Sequence, residues 1–340
     1  MIMNRTALKG AVFSVRDIKQ IIEYLADNTS DPVQAYIMQK EIFQKPLSDS
    51  GVTSAYEELK QSKWYLQLAG EQQENGAFGR FHSMDARIKD KRHFVSTEAA
   101  LRRARELSLS QNDSLVQKTV LLMERYLRGE EAWPDYTEKH HDNGKTFSTA
   151  FPYLIAANLS LFDPDNPLLN ARRDTCVAIL GKAFVGGAFD EEIWEQTNRD
   201  YTGICMRAWM VYPLWLLQNA NCLDDALQRR YLNYIWNREK GIYYISNFAP
   251  AKKFGAEDKA FTTWLMMLET LSGFSLFPEL MECDARPHLM GEIDRLIHDG
   301  TIKLPPPHPI SWHYAESWRN PKARKVDMIL RMTRLLVKCK

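Results

Sequence analysis

The chain has 340 residues, 45% of them hydrophobic, which is enough to bury a substantial core. Its 44 lysines and arginines nearly balance its 43 acidic residues, and a formal charge of +1 provides no overall field to hold nucleic acid or an anionic membrane surface. The five cysteines are scattered and none is paired as CxxC, which favours reduced thiols in a cytoplasmic protein over a disulfide framework.

Helical periodicity recurs along most of the chain, and strand alternation is rare. The predicted helices, in chain order, are Ile18–Leu25, Val33–Phe43, Ser54–Leu68, Ser96–Leu107, Asn112–Leu127, Ser148–Leu159, Pro167–Ala183, Thr202–Gln218, Leu223–Asn237, Asp258–Leu271, His288–His298 and Lys325–Val337. Asp31 is the predicted N-cap of the second helix, and Ser54 with Glu57 caps the third. A short turn is predicted near Asp190–Gln196, and Gly241–Ile245 is the convincing extended segment.

Glycines just ahead of aromatic or apolar residues recur six times, spaced by about one sixth of the chain. These marker glycines are Gly10, Gly76, Gly129, Gly187, Gly241 and Gly300. A period of this size, with about twelve helices between the markers, predicts six helical hairpins. We therefore predict an all-α fold, an (α/α)6 toroid that forms a single domain over residues 1–340.

Long polar loops follow most of the marker glycines and precede the next helix. They cover residues 80–95, 134–147, 198–201, 246–256 and 303–323. Equivalent connections lie at the same end of a toroid, so these loops form one elaborate end, which we call the loop-rich rim. Function is expected there, because loops on a rigid scaffold commonly carry binding and catalytic residues.

The segment Leu68–Gly79, which reads LAGEQQENGAFG, resembles the Gln-x-x-x-Gly-x-aromatic repeat of squalene cyclases and protein prenyltransferases. Gly241–Tyr244 followed by Glu257–Phe261 repeats the arrangement. The chain is also similar to stand-alone bacterial repeat proteins of that superfamily whose activity is not established. The resemblance implies a terpenoid cyclase- or prenyltransferase-like toroid around a central cavity.

The acids and zinc ligands of those enzymes have no clear counterparts in this sequence. Asp163–Asn166 approaches the Asp-x-Asp-Asp motif of the cyclases but lacks its last acid and is typical of a turn. Asp200 and Cys205 have the wrong spacing for the prenyltransferase zinc ligands, and Cys283–Asp284 has the reverse order. We therefore predict no metal and no cofactor.

Histidines and carboxylates near the loop-rich rim are the predicted catalytic residues. They are His140, His141, Asp142, Asp200, Glu257 and Asp258. A histidine beside a carboxylate can act as a general acid or base near neutral pH. The alternatives are a solvated Asn-Gly turn for the histidine cluster and helix capping for Glu257, Asp258 and Glu98.

Further polar and aromatic residues at the same rim are the predicted ligand-binding residues. They are His82, His93, Glu98, Tyr201, Trp264, His313 and Trp318. The basic stretches Arg102–Arg105 and Lys322–Lys325 are interpreted as solvated surface, although an anionic diphosphate would need such a cluster facing the cavity.

The leading functional hypothesis is a cavity that binds a small, partly apolar ligand, with metal-free acid–base chemistry at the rim if the protein is an enzyme. The alternatives are a carbohydrate-active (α/α)6 lyase or hydrolase, and a repeat scaffold without catalysis. The longest apolar run, Ala208–Leu217, is too short to span a bilayer, so neither membrane insertion nor a nucleic-acid partner is expected.

Overall fold

The computed structural model describes residues 15–82, 93–94, 96–132, 144–202, 206–244, 247–306 and 313–338. Over these ranges the chain is mostly helical, which confirms the all-α class. The helices are α1 Val15–Asn28, α2 Pro32–Ile37, α3 Ser50–Lys60, α4 Lys63–Glu71, α5 Thr97–Glu106, α6 Ser114–Arg128, α7 Gly144–Leu159, α8 Asn170–Ala183, α9 Glu191–Thr202, α10 Val211–Leu217, α11 Asp225–Trp236, α12 Phe261–Leu271, α13 Phe277–Leu280, α14 Arg286–His298 and α15 Pro321–Lys338. A π-helical segment, Met38–Ile42, continues α2, and another, Met281–Ala285, joins α13 to α14. Two short strands, β1 Ile242–Tyr244 and β2 Asn247–Ala249, pair antiparallel.

The cap of α2 is confirmed, whereas the predicted start of the next helix is wrong. Asp31 Oδ1 accepts a hydrogen bond from the backbone N–H of Val33 at 3.0 Å. The next helix begins at Ser50 rather than Ser54, because the Asp49 carboxylate caps its first turn. Ser62 then caps α4, so the predicted single helix is two helices separated at this serine.

Helix α9 replaces the short turn that the sequence predicts near Asp190–Gln196. Asp190 Oδ1 accepts from the backbone N–H of Ile193 at 2.9 Å, and acidic residues in the first turn complement the helix dipole. Trp194 anchors the helix, because its buried indole Nε1 donates to the Met206 carbonyl at 2.7 Å. The predicted helix from Thr202 accordingly starts only at Val211.

Four of the six marker glycines have a positive φ, as tight turns require. The values are 93° for Gly76, 73° for Gly129, 88° for Gly187 and 60° for Gly241. A Cβ atom on Gly241 would lie 1.9 Å from the Ala249 carbonyl oxygen, so this turn accepts no side chain. Gly300 does not have a positive φ, and Gly10 lies outside the described residues.

Six helical elements contact one another in succession. The segment Met38–Ile42 contacts α15, α15 contacts α12, α12 contacts α10, and α10 contacts α7. Helix α7 reaches α5 through Asn158 Nδ2, which donates to Glu98 Oε1 at 3.4 Å. The end of α5 returns to the first segment, since Ser108 Oγ donates to Glu41 Oε1 at 2.5 Å.

Buried apolar side chains from α1 through α15 form one continuous core cluster. None of the helices in the described ranges combines the length and the apolar character needed to cross a bilayer.

Candidate functional site

A cavity of about 500 Å³ lies among the six elements that contact one another in succession. Its charged lining residues are Lys40, Glu41, Arg102, Arg105, Glu106, Glu269, Arg334 and Lys338. Its apolar lining residues are Leu109, Leu161, Trp215, Met266 and Leu335. We call this space the charged cavity. Lys338 is exposed to solvent, so water reaches the cavity wall.

The lining residues lie in or just beyond the C-terminal halves of their helices. Arg102 and Arg105 lie in α5, Glu269 in α12 and Lys338 at the end of α15, while Leu161 follows α7. Helix C-termini carry partial negative charge and free carbonyl groups, which favour nearby cations. None of the described residues that the sequence predicts as catalytic or ligand-binding lines this cavity, so it is distinct from the predicted site.

Two ion-pair networks hold the cavity wall. Arg334 pairs with Glu41 through two hydrogen bonds of 2.6 and 2.8 Å, and it also donates to the Tyr314 hydroxyl at 2.6 Å. Arg331 bridges two acids, at 2.7 Å from Glu106 and 2.5 Å from Glu269. Each guanidinium thus fixes elements distant in sequence, and each acid of the cavity has a cationic partner.

Two other cations of the cavity have no partner among the described residues. The side chains of Arg105 and Lys338 make no hydrogen bond or ion pair with any described residue. Arg102 lies over the ring of Tyr244, 4.8 Å from its centroid, and donates to its hydroxyl at 3.5 Å. Lys40 donates to the Ser108 carbonyl at 2.5 Å. The cavity therefore holds five cationic side chains against three acidic ones.

A second cluster of polar side chains surrounds Glu98, at the start of α5. Its carboxylate is fully buried and lies 2.5 Å from His82 Nδ1. Tyr212 donates to the same oxygen at 3.4 Å, and Asn158 Nδ2 contacts the other oxygen. Burial raises the pKa of Tyr212 well above its ordinary value, and the charge of Glu98 raises it further.

The Glu98 cluster is connected to the charged cavity through aromatic rings. Tyr244 packs against Tyr212, with ring centroids 6.4 Å apart, and against Trp215 of the cavity wall at 5.3 Å. Seven residues of α5 separate Glu98 from Arg105, a rise of about 10 Å. Of the predicted site residues, Glu98 and His82 are the ones brought into direct contact beside the cavity, and the Glu98 carboxylate is not a helix cap.

Three of the predicted catalytic carboxylates, Asp200, Glu257 and Asp258, lie on the surface. Asp258 Oδ1 accepts from the backbone N–H of Ala260 at 2.7 Å in the turn before α12, whose N-cap residue is Ala260, so Asp258 does not cap the helix. Glu257 pairs with Arg295 at 3.0 Å, which lowers its pKa. Asp200 accepts from Gln196 within α9 at 2.8 Å. These contacts are surface contacts within or between neighbouring helices, and they do not reach the charged cavity.

Two predicted ligand-binding residues are exposed. Tyr201 accepts a hydrogen bond from Lys182 at 3.0 Å, and its helix α9 replaces the expected rim loop. The backbone N–H of His93 donates to Glu71 at 3.1 Å. Neither residue lines the charged cavity.

The predicted aromatic ligand-binding residues are held by other aromatic rings. Trp264 is fully buried and packs against His288, with centroids 5.3 Å apart. His313 stacks on Trp318 at 5.0 Å and meets the edge of Trp64 at 5.1 Å. Burial and the charge of Arg103 lower the pKa of His313 to about 4. None of these residues is among the lining of the charged cavity.

The predicted catalytic residues His140, His141 and Asp142 lie outside the described residues. Their roles stay predictions. Within the described ranges there is no group of three or more histidines, cysteines or carboxylates placed to hold a metal ion.

The interpretation of Arg102–Arg105 as solvated surface is wrong. Arg102 and Arg105 line the charged cavity, and Arg103 is buried, with its guanidinium 4.7 Å from the ring centroid of Trp64. Its Nη1 donates to the His313 carbonyl at 2.6 Å. The density of arginines was the available signal, because residues 102, 103 and 105 span roughly 160° of the helix circumference and need not share one solvated face.

Comparison with known proteins yields no match, whether to protein-family models, curated proteins or solved structures.

Proposed function

We propose that the chain is an (α/α)6 toroid and that its charged cavity binds a small, partly apolar ligand. The order of helix contacts supports the toroid, because it starts at Met38–Ile42, passes through α15, α12, α10, α7 and α5, and returns to its start. The C-terminal halves of these six elements share one cavity, as parallel inner helices of a toroid would. The sequence period of six units supports the same arrangement.

The observation that carries the binding function is the lining of the charged cavity. Polar and charged groups share the wall with Leu109, Leu161, Trp215, Met266 and Leu335. A wall of this kind suits a ligand with one polar end and one apolar end, since ligand sites combine apolar surface with a few placed polar groups. A cavity of about 500 Å³ has the size of small-molecule sites.

Acid–base chemistry at this site would rest on the Glu98 cluster. His82 and Glu98 form a histidine–carboxylate pair, the combination that general acid–base catalysis uses. His82 is the partly exposed member, with 26% of its side chain accessible, but it does not line the charged cavity, so a ligand would have to extend beyond the cavity to reach it.

Thermal unfolding with short amphipathic compounds tests the binding function. We expect octyl compounds with a polar head group to raise Tm in a concentration-dependent way, because a ligand that binds only the folded state stabilises it by about 2.7 kcal/mol at 100 times its Kd. The Thr270→Trp variant, which fills part of the cavity, should lose this shift. Leu121→Trp, at an exposed position on α6, should keep it.

Each variant is compared with its own ligand-free Tm, so a change in basal stability does not affect the result. The proposal fails if no amphipathic compound shifts Tm at saturating concentration. It also fails if Thr270→Trp responds as the unmodified chain does, because binding would then occur elsewhere.

A further inference from the structure

The charged cavity has more positive than negative charge. Its three acids are occupied: Glu41 by Arg334, and Glu106 and Glu269 by Arg331. Of the other cations of its wall, Lys40 donates to the Ser108 carbonyl and Arg102 to the Tyr244 hydroxyl. A chain with nearly equal numbers of cationic and acidic residues overall thus places five cations and three acids around one cavity.

Two of these cations have no partner in the described part of the chain. Arg105, in the last turn of α5, and Lys338, at the end of α15, make neither a hydrogen bond nor an ion pair there. Trp215 adds an unpartnered donor, since its side chain is 96% buried in the cavity wall and its indole Nε1 has no hydrogen-bond partner. A buried donor without an acceptor is costly unless another molecule supplies the acceptor.

The pKa shifts of Arg105 and Lys338 agree with a lack of negative charge beside these two side chains. Crowding by neighbouring protein atoms lowers the pKa of Arg105 and of Lys338, although the Lys338 side chain also reaches solvent, and the charge of Arg334 lowers both further. Glu41 and Glu106 act in the opposite direction without restoring the ordinary values. An anion in the cavity would stabilise the charged form of each side chain.

Helix dipoles give a simpler reason for cations at this position. A single cation in a last turn complements the partial negative charge of a C-terminus. Arg105 and Lys338 do lie in the last turns of α5 and α15, but a helix terminus carries only about half an elementary charge, so it does not balance a full cation. The dipole argument also does not account for the unpartnered indole of Trp215.

We propose that Arg105 and Lys338 bind a dianionic head group of the ligand, a phosphate monoester or a dicarboxylate, with the indole N–H of Trp215 as a further donor. A dianion matches Arg105 and Lys338, the two cationic side chains of the wall that have no partner in the described ranges. The apolar part of the ligand then packs on Leu161 and Met266. This inference rests on the proposed binding function and specifies its ligand class.

Isothermal titration calorimetry at pH 8 with four ligands of similar apolar length tests the inference. The ligands are octyl phosphate, hexylmalonate, octanoate and octanol. We expect the two dianions to bind about 10- to 100-fold more tightly than octanol, because hydrogen bonds to charged groups contribute about 1.5–3 kcal/mol each. Octanoate, which carries one charge, should bind with an affinity between that of octanol and that of the dianions. The affinity of the dianions should decrease as salt is added.

Variants then locate the head group. Arg105→Gln and Lys338→Gln should each weaken dianion binding about tenfold or more and leave octanol binding unchanged. Arg105→Lys, which keeps the charge, should recover part of the loss. Arg229→Gln removes a guanidinium from an exposed ion pair with Glu279 and serves as the matched control. Circular dichroism verifies that each variant is folded, and Lys338→Gln changes an exposed side chain, so it decides the outcome if Arg105→Gln does not fold.

The outcomes separate the inference from the function on which it rests. If octanol and octyl phosphate bind equally well, the cavity binds apolar ligands and the dianion inference is overturned. If the dianions bind but Arg105→Gln and Lys338→Gln have no effect, the head group lies elsewhere and the inference is also overturned. If none of the four ligands binds, the proposed binding function itself fails. Preference between phosphate and dicarboxylate identifies the head group.

Discussion

Replacing Arg331 by methionine is expected to lower the free energy of unfolding by about 3 kcal/mol, since removing one partner of a buried ion pair leaves uncompensated charge. The Arg331 side chain is 7% exposed, and its guanidinium bridges Glu106 and Glu269. Without it, the two carboxylates of α5 and α12 face each other across the wall of the charged cavity. The expected loss in free energy of unfolding is at the lower end of the range for buried ion pairs, because water reaches the cavity wall.

Urea denaturation at pH 7 measures this effect. Arg286→Met is the matched control, because Arg286 pairs at 2.9 Å with the exposed Glu282 one helical turn away. Exposed pairs of this kind contribute about 0–1 kcal/mol. Equal destabilisation by the two substitutions would contradict a structural network at the cavity wall. A double variant with Glu269→Gln should recover part of the Arg331→Met loss.

Acid is expected to destabilise the fold through Glu41. Burial alone would raise the pKa of this carboxyl, but the charges of Arg334 and Lys338 and the hydrogen bonds from Arg334 and Ser108 outweigh it and lower the pKa to about 2. The ordinary value is 4.5. Because the unfolded chain takes up the proton first, the stabilisation is complete above pH 4.5 and is lost as pH falls from there toward 2. Its full size is about 3 kcal/mol.

The free energy of unfolding measured from pH 7 to pH 3 tests this linkage. Glu41→Gln should be less stable at pH 7 and should lose less stability on acidification than the unmodified chain. Glu279→Gln removes one carboxylate from an exposed ion pair and controls for the change in net charge. Parallel acid profiles for the unmodified chain and Glu41→Gln would show that the Glu41–Arg334 pair does not carry the acid sensitivity.

Local signals predicted the features of the fold that depend on neighbouring residues. The Asp31 cap follows from a side chain that reaches a backbone N–H two residues later. The marker glycines Gly76, Gly129, Gly187 and Gly241 have the positive φ that only glycine adopts readily. The hairpin strand at Ile242–Tyr244 lies within the predicted extended segment.

Competing caps and tertiary contacts explain the helix errors. Ser54 and Asp49 are both good N-cap residues, and the sequence does not show which one the first turn will use. Helix α9 is held by Trp194, whose indole N–H reaches the Met206 carbonyl beyond the end of the helix. That contact exists only in the folded chain, so local periodicity predicted a short turn where the structure has a twelve-residue helix.

The sequence analysis did not predict the charged cavity, because charged residues line an interior space there instead of facing bulk solvent. Charged residues on a helix normally face solvent. Arg102 and Arg105 instead face an interior space, where Glu106 and Glu269 supply part of the counter-charge of Arg105. The residues that meet there come from α2 to α15, so no short segment contains the pattern. The Glu98–His82 pair was within reach of sequence reasoning, since both residues were predicted to bind ligand.

A crystal structure with 8-bromooctyl phosphate tests most directly the claim that the charged cavity binds an amphipathic ligand. Bromine gives an anomalous signal that identifies the apolar end without ambiguity. We predict a bromine peak against Leu161 and Met266 and the phosphate beside Arg105 and Lys338. A structure at saturating ligand in which the bromine and phosphate occupy another site, and the charged cavity contains only water, would contradict the account.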